Sequence, residues 1–283
     1  MTAADLAAPR RSLAAELSAA AALFALTVRQ HTHGRRLLVL GGLYLLPCVL
    51  AVVLRLLPRP APADAVEFAL VFTLLPHGLA PLTALLYAAG IVSDEVEEQT
   101  LTYLLLRAVP KWMLYLSKLL ATLGVTVLLV AVSVVALYLA IYAGTPEFWS
   151  EALPRCGRVI GVMALAQVGY CALFGGIGLL TRRSLIAGIA YIVAVEGVLA
   201  NLDFVGRTVT LVYFARTLTL RWIDLPAEQL RRCQDVWGME DLTKLPSAGQ
   251  CVLTILAFGV VVSLASAVWF ARSEYRVKTP GGD

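Results

Sequence analysis

Six apolar runs, each about twenty residues or longer, decide what this chain can fold into. They cover residues 37–54, 66–92, 119–142, 159–180, 185–202 and 252–271 and are nearly free of charge. In lipid a segment must satisfy its own backbone, which only helices and closed barrels do. A barrel would show alternating segments of about ten residues, and none is present. The runs are therefore read as six membrane-crossing helices. Composition agrees, with 59% hydrophobic and 15% charged residues and a mean hydropathy of +0.80. Soluble domains sit near 45–50% and 25%, so a soluble enzyme and a disordered chain are excluded. Five cysteines are too few for a disulfide scaffold, and none has the CxxC or Cys/His spacing of a metal site. A net charge of +4 gives no reason to expect a nucleic-acid partner.

Lys and Arg placement orients the helices. With both termini cytoplasmic, the inner side holds Arg10, Arg11, Arg29, Arg35, Arg36, Arg107, Lys111, Lys118, Arg182, Arg183, Arg272, Arg276 and Lys278. The short outer loops hold only Arg55, Arg59, Arg155 and Arg158. The expected location is the inner (cytoplasmic) membrane, multi-pass, with both termini inside. Ahead of the first span, residues 9–34 carry Leu13, Leu17, Ala21, Phe24 and Val28 at helical spacing, with Glu16 and Arg29 on other faces. Glu16 interrupts any signal-peptide core, so this stretch is read as a helix along the cytoplasmic interface. His31 and His33 beside Arg35 and Arg36 make a basic membrane-surface flank rather than a metal tract. Residues 203–250 are the one sizeable hydrophilic region, read as a small external cap. Asp224 and Pro226 should start a helix there, running through Glu228, Leu230 and Cys233 towards Gly238. Cys156 and Cys233 both fall in expected external segments, so a bridge between them is expected, with Cys251 as competing partner.

The stretch 93–112 is the most informative. Asp94, Glu95, Glu97 and Glu98 cluster on the side where bases are expected, followed by Thr100, apolar Leu101, Leu104 and Leu105, then Arg107 and Pro110. Acids at the start and a base at the end suit the dipole of an amphipathic helix. A plain solvated connector would have no need of the leucines.

This run, continued by Val109-Pro110-Lys111-Trp112 and Lys118, resembles the signature of ABC-2-type transporter permeases, with Gln99 and Ala108 departing from it. The resemblance implies an all-α membrane protein of six transmembrane helices with an N-terminal interfacial helix and a cytoplasmic coupling helix. It makes Asp94 to Arg107 the segment that contacts an ABC ATPase. It also implies two ATPase copies, a second permease copy or paralogue, and ATP with Mg on the ATPase rather than on this chain. The residues agree with that division of labour, since no GxxxxGK[ST] phosphate loop occurs. No catalytic residue is expected.

Two further residues are candidates for the transport path. Glu196 lies inside the fifth run, where an ionisable group is costly. His77 lies between Pro76 and Pro81, which should kink or break the second helix. Gly175, Gly176 and Gly178 are read as close-packing positions. An ATPase-independent secondary transporter or channel is the alternative, and it would show inverted repeats with paired broken helices. An intramembrane enzyme would need a nucleophile and base placed to meet, and none is.

Overall fold

The computed structural model describes residues 13–58, 61–97, 110–202, 205–239 and 241–273. Among these there is no strand. Six helices are long and apolar enough to cross a membrane. They are α2 (Arg35–Leu56), α3 (Ala63–Asp94), α4 (Lys111–Tyr142), α5 (Phe148–Leu180), α6 (Ser184–Asn201) and α9 (Ala248–Arg272). Helix α1 (Leu13–His33) precedes them, and α7 (Leu211–Trp222) and α8 (Ala227–Trp237) lie between α6 and α9. An even number of crossings brings the start of α2 and the end of α9 to one side of the bundle, called here the proximal end.

Helices α4 and α5 begin earlier than their apolar runs, at Lys111 and Phe148 rather than 119 and 159. At 1.5 Å per residue, the 32 residues of α4 reach about 48 Å, beyond a hydrocarbon core of about 30 Å. Polar first turns therefore continue the helix outside the apolar layer. Pro110 supplies an extended lead-in to α4. Ser247 and Gln250 open α9 with reciprocal side-chain caps of 3.3 and 2.8 Å.

Helices α3 and α5 form the centre of the bundle, and α2, α6 and α9 expose long apolar faces. The glycines of α5 let three neighbours approach. A Cβ on Gly175 would sit 2.8 Å from the Tyr115 hydroxyl of α4, one on Gly176 2.9 Å from Ser266 of α9, and one on Gly178 2.4 Å from the Ala89 carbonyl of α3.

The course of the chain also departs from the sequence expectation. Helix α3 is not broken at its prolines. It widens to π-type turns over Phe68–Leu79, which accommodate Pro76, and Pro81 stands in the first turn of the α-helical stretch that follows. The region 203–250 is only partly an external cap. Nearly all of α7 from Leu211 to Leu220 is buried, packed against α5 and α9. Leu211 reaches Gly169 and Trp222 reaches Gly161, so α7 begins beside the middle of α5 and runs outward towards the distal surface. Finally, α8 is capped by Pro226 rather than Asp224, whose carboxylate pairs instead with Arg158. Helix α8 ends at Gly238 in the left-handed region (φ 60°), a conformation that costs a Cβ-bearing residue energy.

Candidate functional site

Three polar centres are stacked along the bundle. The middle one joins α3, α6 and α7. His77 Nδ1 donates to the Thr73 carbonyl at 2.7 Å, so its Nε2 is the acceptor, and Arg216 Nε donates to it at 2.9 Å. Arg216 also donates to Asn201 Oδ1 at 2.8 Å and to the Ala200 carbonyl at 3.3 Å, and its guanidinium lies over the Trp237 ring. Glu196 is 1% exposed. It accepts from the backbone N–H groups of Leu211 (3.2 Å) and Val212 (3.0 Å) and from the Tyr191 hydroxyl (3.0 Å). Its carboxylate thus caps the first turn of α7, where the helix dipole favours an anion.

The structure therefore brings both intramembrane candidates, Glu196 and His77, to one helix that the sequence reading had placed outside. Arg216 sits between them and was missed. It belongs to a hydrophilic stretch, and nothing local in that stretch marks it as re-entering the bundle. Asn201 and the flanking Gly197 and Val198 are exposed, so one side of this centre opens onto the bundle surface.

The distal centre was also missed. Glu67 is fully buried. Its Oε1 accepts from Tyr138 (2.6 Å), and its Oε2 from Tyr142 (2.7 Å), Arg155 (2.7 Å) and Gln229 (2.9 Å). One carboxylate thereby ties α3, α4, α5 and α8 together. Its signal was available, since Glu67 lies within an apolar run as Glu196 does. Arg155 is accordingly not a loop charge but a buried helix residue, 5% exposed. Cys156 and Cys233 are buried near this carboxylate, and both are free thiols, as are Cys48, Cys171 and Cys251. The expected Cys156–Cys233 bridge is not formed. Cys156 belongs to α5 rather than to an external loop, and Cys233 is sealed inside α8.

The proximal centre holds the beginning of the acidic run. Asp94 and Arg36 form a two-point ion pair at 2.7 and 2.9 Å. It rests on Gly90, where a Cβ would meet both groups within 2.8 Å. Lys118 Nζ donates to the Ile91 carbonyl at 3.5 Å, and Lys111 Nζ to the Ser273 carbonyl at 3.0 Å. Glu95 and Glu97 continue the helical path (Gly90–Glu97). Glu98, Thr100, Leu101, Leu104, Leu105 and Arg107 lie outside the described residues. Among the described residues no group of His, Cys, Asp and Glu is arranged to hold a metal ion.

No curated protein matches this chain. Residues 35–197, more than half of it, match the family described as ABC-2 family transporter protein, and that match runs from α2 into α6, taking in Arg36, Glu67, His77, Asp94 and Glu196 but not Asn201, Arg216 or Gln229. The chain belongs to this family and is a multi-pass membrane permease subunit of an ABC transporter.

Proposed function

We propose that this permease is driven by a separate ABC ATPase, that it exports its substrate, and that Asp94–Arg107 is the element through which ATP hydrolysis acts. ATP and Mg reside on the ATPase in this reading. Two ATPase copies and a second permease copy or paralogue complete the transporter, in the inner membrane with both termini cytoplasmic. Export is the direction the family resemblance implies.

The observation that carries this reading is the Arg36–Asp94 pair. Asp94 stands in the last turns of α3, where the acidic segment begins, and Arg36 opens α2 immediately after α1. A force on the segment is then delivered to α3 and to the α1–α2 joint together. Because α3 also carries His77, tilting it would strain the His77–Arg216 contact to α7 and loosen the middle centre on its open side. In this reading His77, Arg216, Asn201 and Glu196 lie along the transport path.

Co-purification of the tagged permease with its ATPase tests the assignment. In the Leu104→Ala, Leu105→Ala double variant the ATPase should be lost, or its hydrolysis uncoupled from transport, because truncating a buried interface anchor costs about 1–4 kcal/mol. Retention of a fully coupled ATPase would refute the coupling role and favour an ATPase-independent transporter.

A further inference from the structure

At the proximal end a cleft of about 530 Å³ opens between the end of α1, the start of α2 and the adjoining turns of α3 and α4. Arg35, Arg36 and Lys118 line it, with His31, Tyr87 and Asp94. Among the described lining residues, Asp94 is engaged by Arg36 and Lys118 is held at the Ile91 carbonyl, which leaves Arg35 on the exposed rim. His31 adds no charge. Burial, with help from Arg36 and Lys118, holds its pKa at about 4, and its Nε2 contacts the Thr122 hydroxyl at 2.9 Å.

The cleft also contains the N-terminus of the 22-residue helix α2. No side chain caps it, and no acidic residue stands in its first turn. Arg35 and Arg36 occupy that turn instead, so two positive charges sit at the positive end of a helix dipole. Asp94, the carboxylate that lines the cleft, pairs with the neighbouring Arg36. Such an arrangement is relieved by an anion from elsewhere, and uncapped N–H groups beside arginines are phosphate-binding chemistry.

The same helix face supplies the second half of the ligand. Leu38 and Val39, one turn from Arg35, are 78% and 65% exposed. The face continues through Gly42, whose missing side chain leaves open space, to Leu45, Leu46 and Val49, all exposed. Chemistry changes from cationic to wholly apolar within one turn. A free phosphate would use only the first part, whereas a phospholipid uses both.

We propose that this cleft is a binding site for a phosphate group, and that its ligand is the headgroup of an acidic phospholipid whose acyl chains lie along the exposed face of α2. The bound lipid would brace the α1–α2 joint next to the Arg36–Asp94 pair. Basic pockets between transmembrane helices at the cytoplasmic surface bind such headgroups.

Native mass spectrometry of the full-length protein tests this, using phosphatidylglycerol, phosphatidylcholine and inorganic phosphate as probes. Phosphatidylglycerol should be retained at least about tenfold better than phosphatidylcholine, and Arg35→Gln should weaken its retention about fivefold. Arg35→Lys, which keeps the charge, should restore most of it. Arg35 is exposed, so an unchanged melting temperature in phosphatidylcholine vesicles will show that the Gln variant folds. Failure of excess inorganic phosphate to displace the lipid supports a lipid site. Displacement by phosphate, equal retention of the two lipids, or equal retention of phosphatidylglycerol by wild type and Arg35→Gln overturns it.

Discussion

Replacing Glu67 by Gln should unpin helix α8 from the distal end, and its cost can be worked from the contacts. The Gln carbonyl can still accept from Tyr138. The amide nitrogen, however, stands where Oε2 accepted from Tyr142, Arg155 and Gln229. The Tyr142 hydroxyl can rotate to accept instead of donating. Gln229 can turn its amide over, since its own buried Oε1 has no partner in the native arrangement. Arg155 has no such recourse, because a guanidinium only donates and this one is 5% exposed. Its remaining carboxylate, Glu151, is 3.7 Å away and itself 61% exposed. Breaking a buried pair from one side costs about 3–5 kcal/mol, and a neutral apolar replacement of both partners is often tolerated. Glu67→Gln should therefore destabilise the protein by about that amount, while Glu67→Gln with Arg155→Met should recover most of it. Two readouts check this in detergent: the denaturation midpoint, and alkylation of Cys233, which is fully buried in the native protein and should react faster once α8 lifts. A Glu67→Gln midpoint within about 0.5 kcal/mol of wild type, or a double variant no better than the single, would refute the reasoning.

Glu196→Gln removes the charge that faces the α7 N-terminus, and it should lower transport in reconstituted vesicles while the permease still assembles with its ATPase; wild-type transport would make Glu196 dispensable. Gly178→Ala should destabilise by about 1–3 kcal/mol, and by more than Gly188→Ala, because its Cβ meets the fixed Ala89 carbonyl whereas Gly188 meets the movable end of Leu85; the two melting temperatures decide. His31 should make stability fall with acidity. Its folded pKa of about 4 lies below the unfolded 6.5, so the unfolded state binds more protons between these values. Its contribution is intact above pH 6.5, and up to about 3 kcal/mol is lost as the pH falls to 4. His31→Gln should flatten the denaturation midpoint across that window.

The crossing helices were legible in the sequence because each is specified locally. A charge-poor run such as 252–271 has one inexpensive conformation in lipid, whatever surrounds it. The acidic-to-leucine pattern from Asp94 was legible for a similar reason, since a helix that must meet both water and an apolar partner writes both on its own surface. Glu196 and His77 stood out because a polar group within an apolar run is costly and needs a partner. The partners themselves could not be read. Arg216 lies 139 residues from His77 in sequence, and its segment is hydrophilic enough to pass for an external cap. Only the packing of Leu211 against Gly169 shows that the bundle has room for it. Likewise Glu67 could be noticed within its apolar run, but its partners Tyr138, Tyr142, Arg155 and Gln229 come from three other helices, and none stands out in its own neighbourhood. Hydrophobicity is a property of a segment and can be summed along the chain. A buried hydrogen bond is a property of two distant groups, and in this protein the tertiary structure alone determined which groups meet.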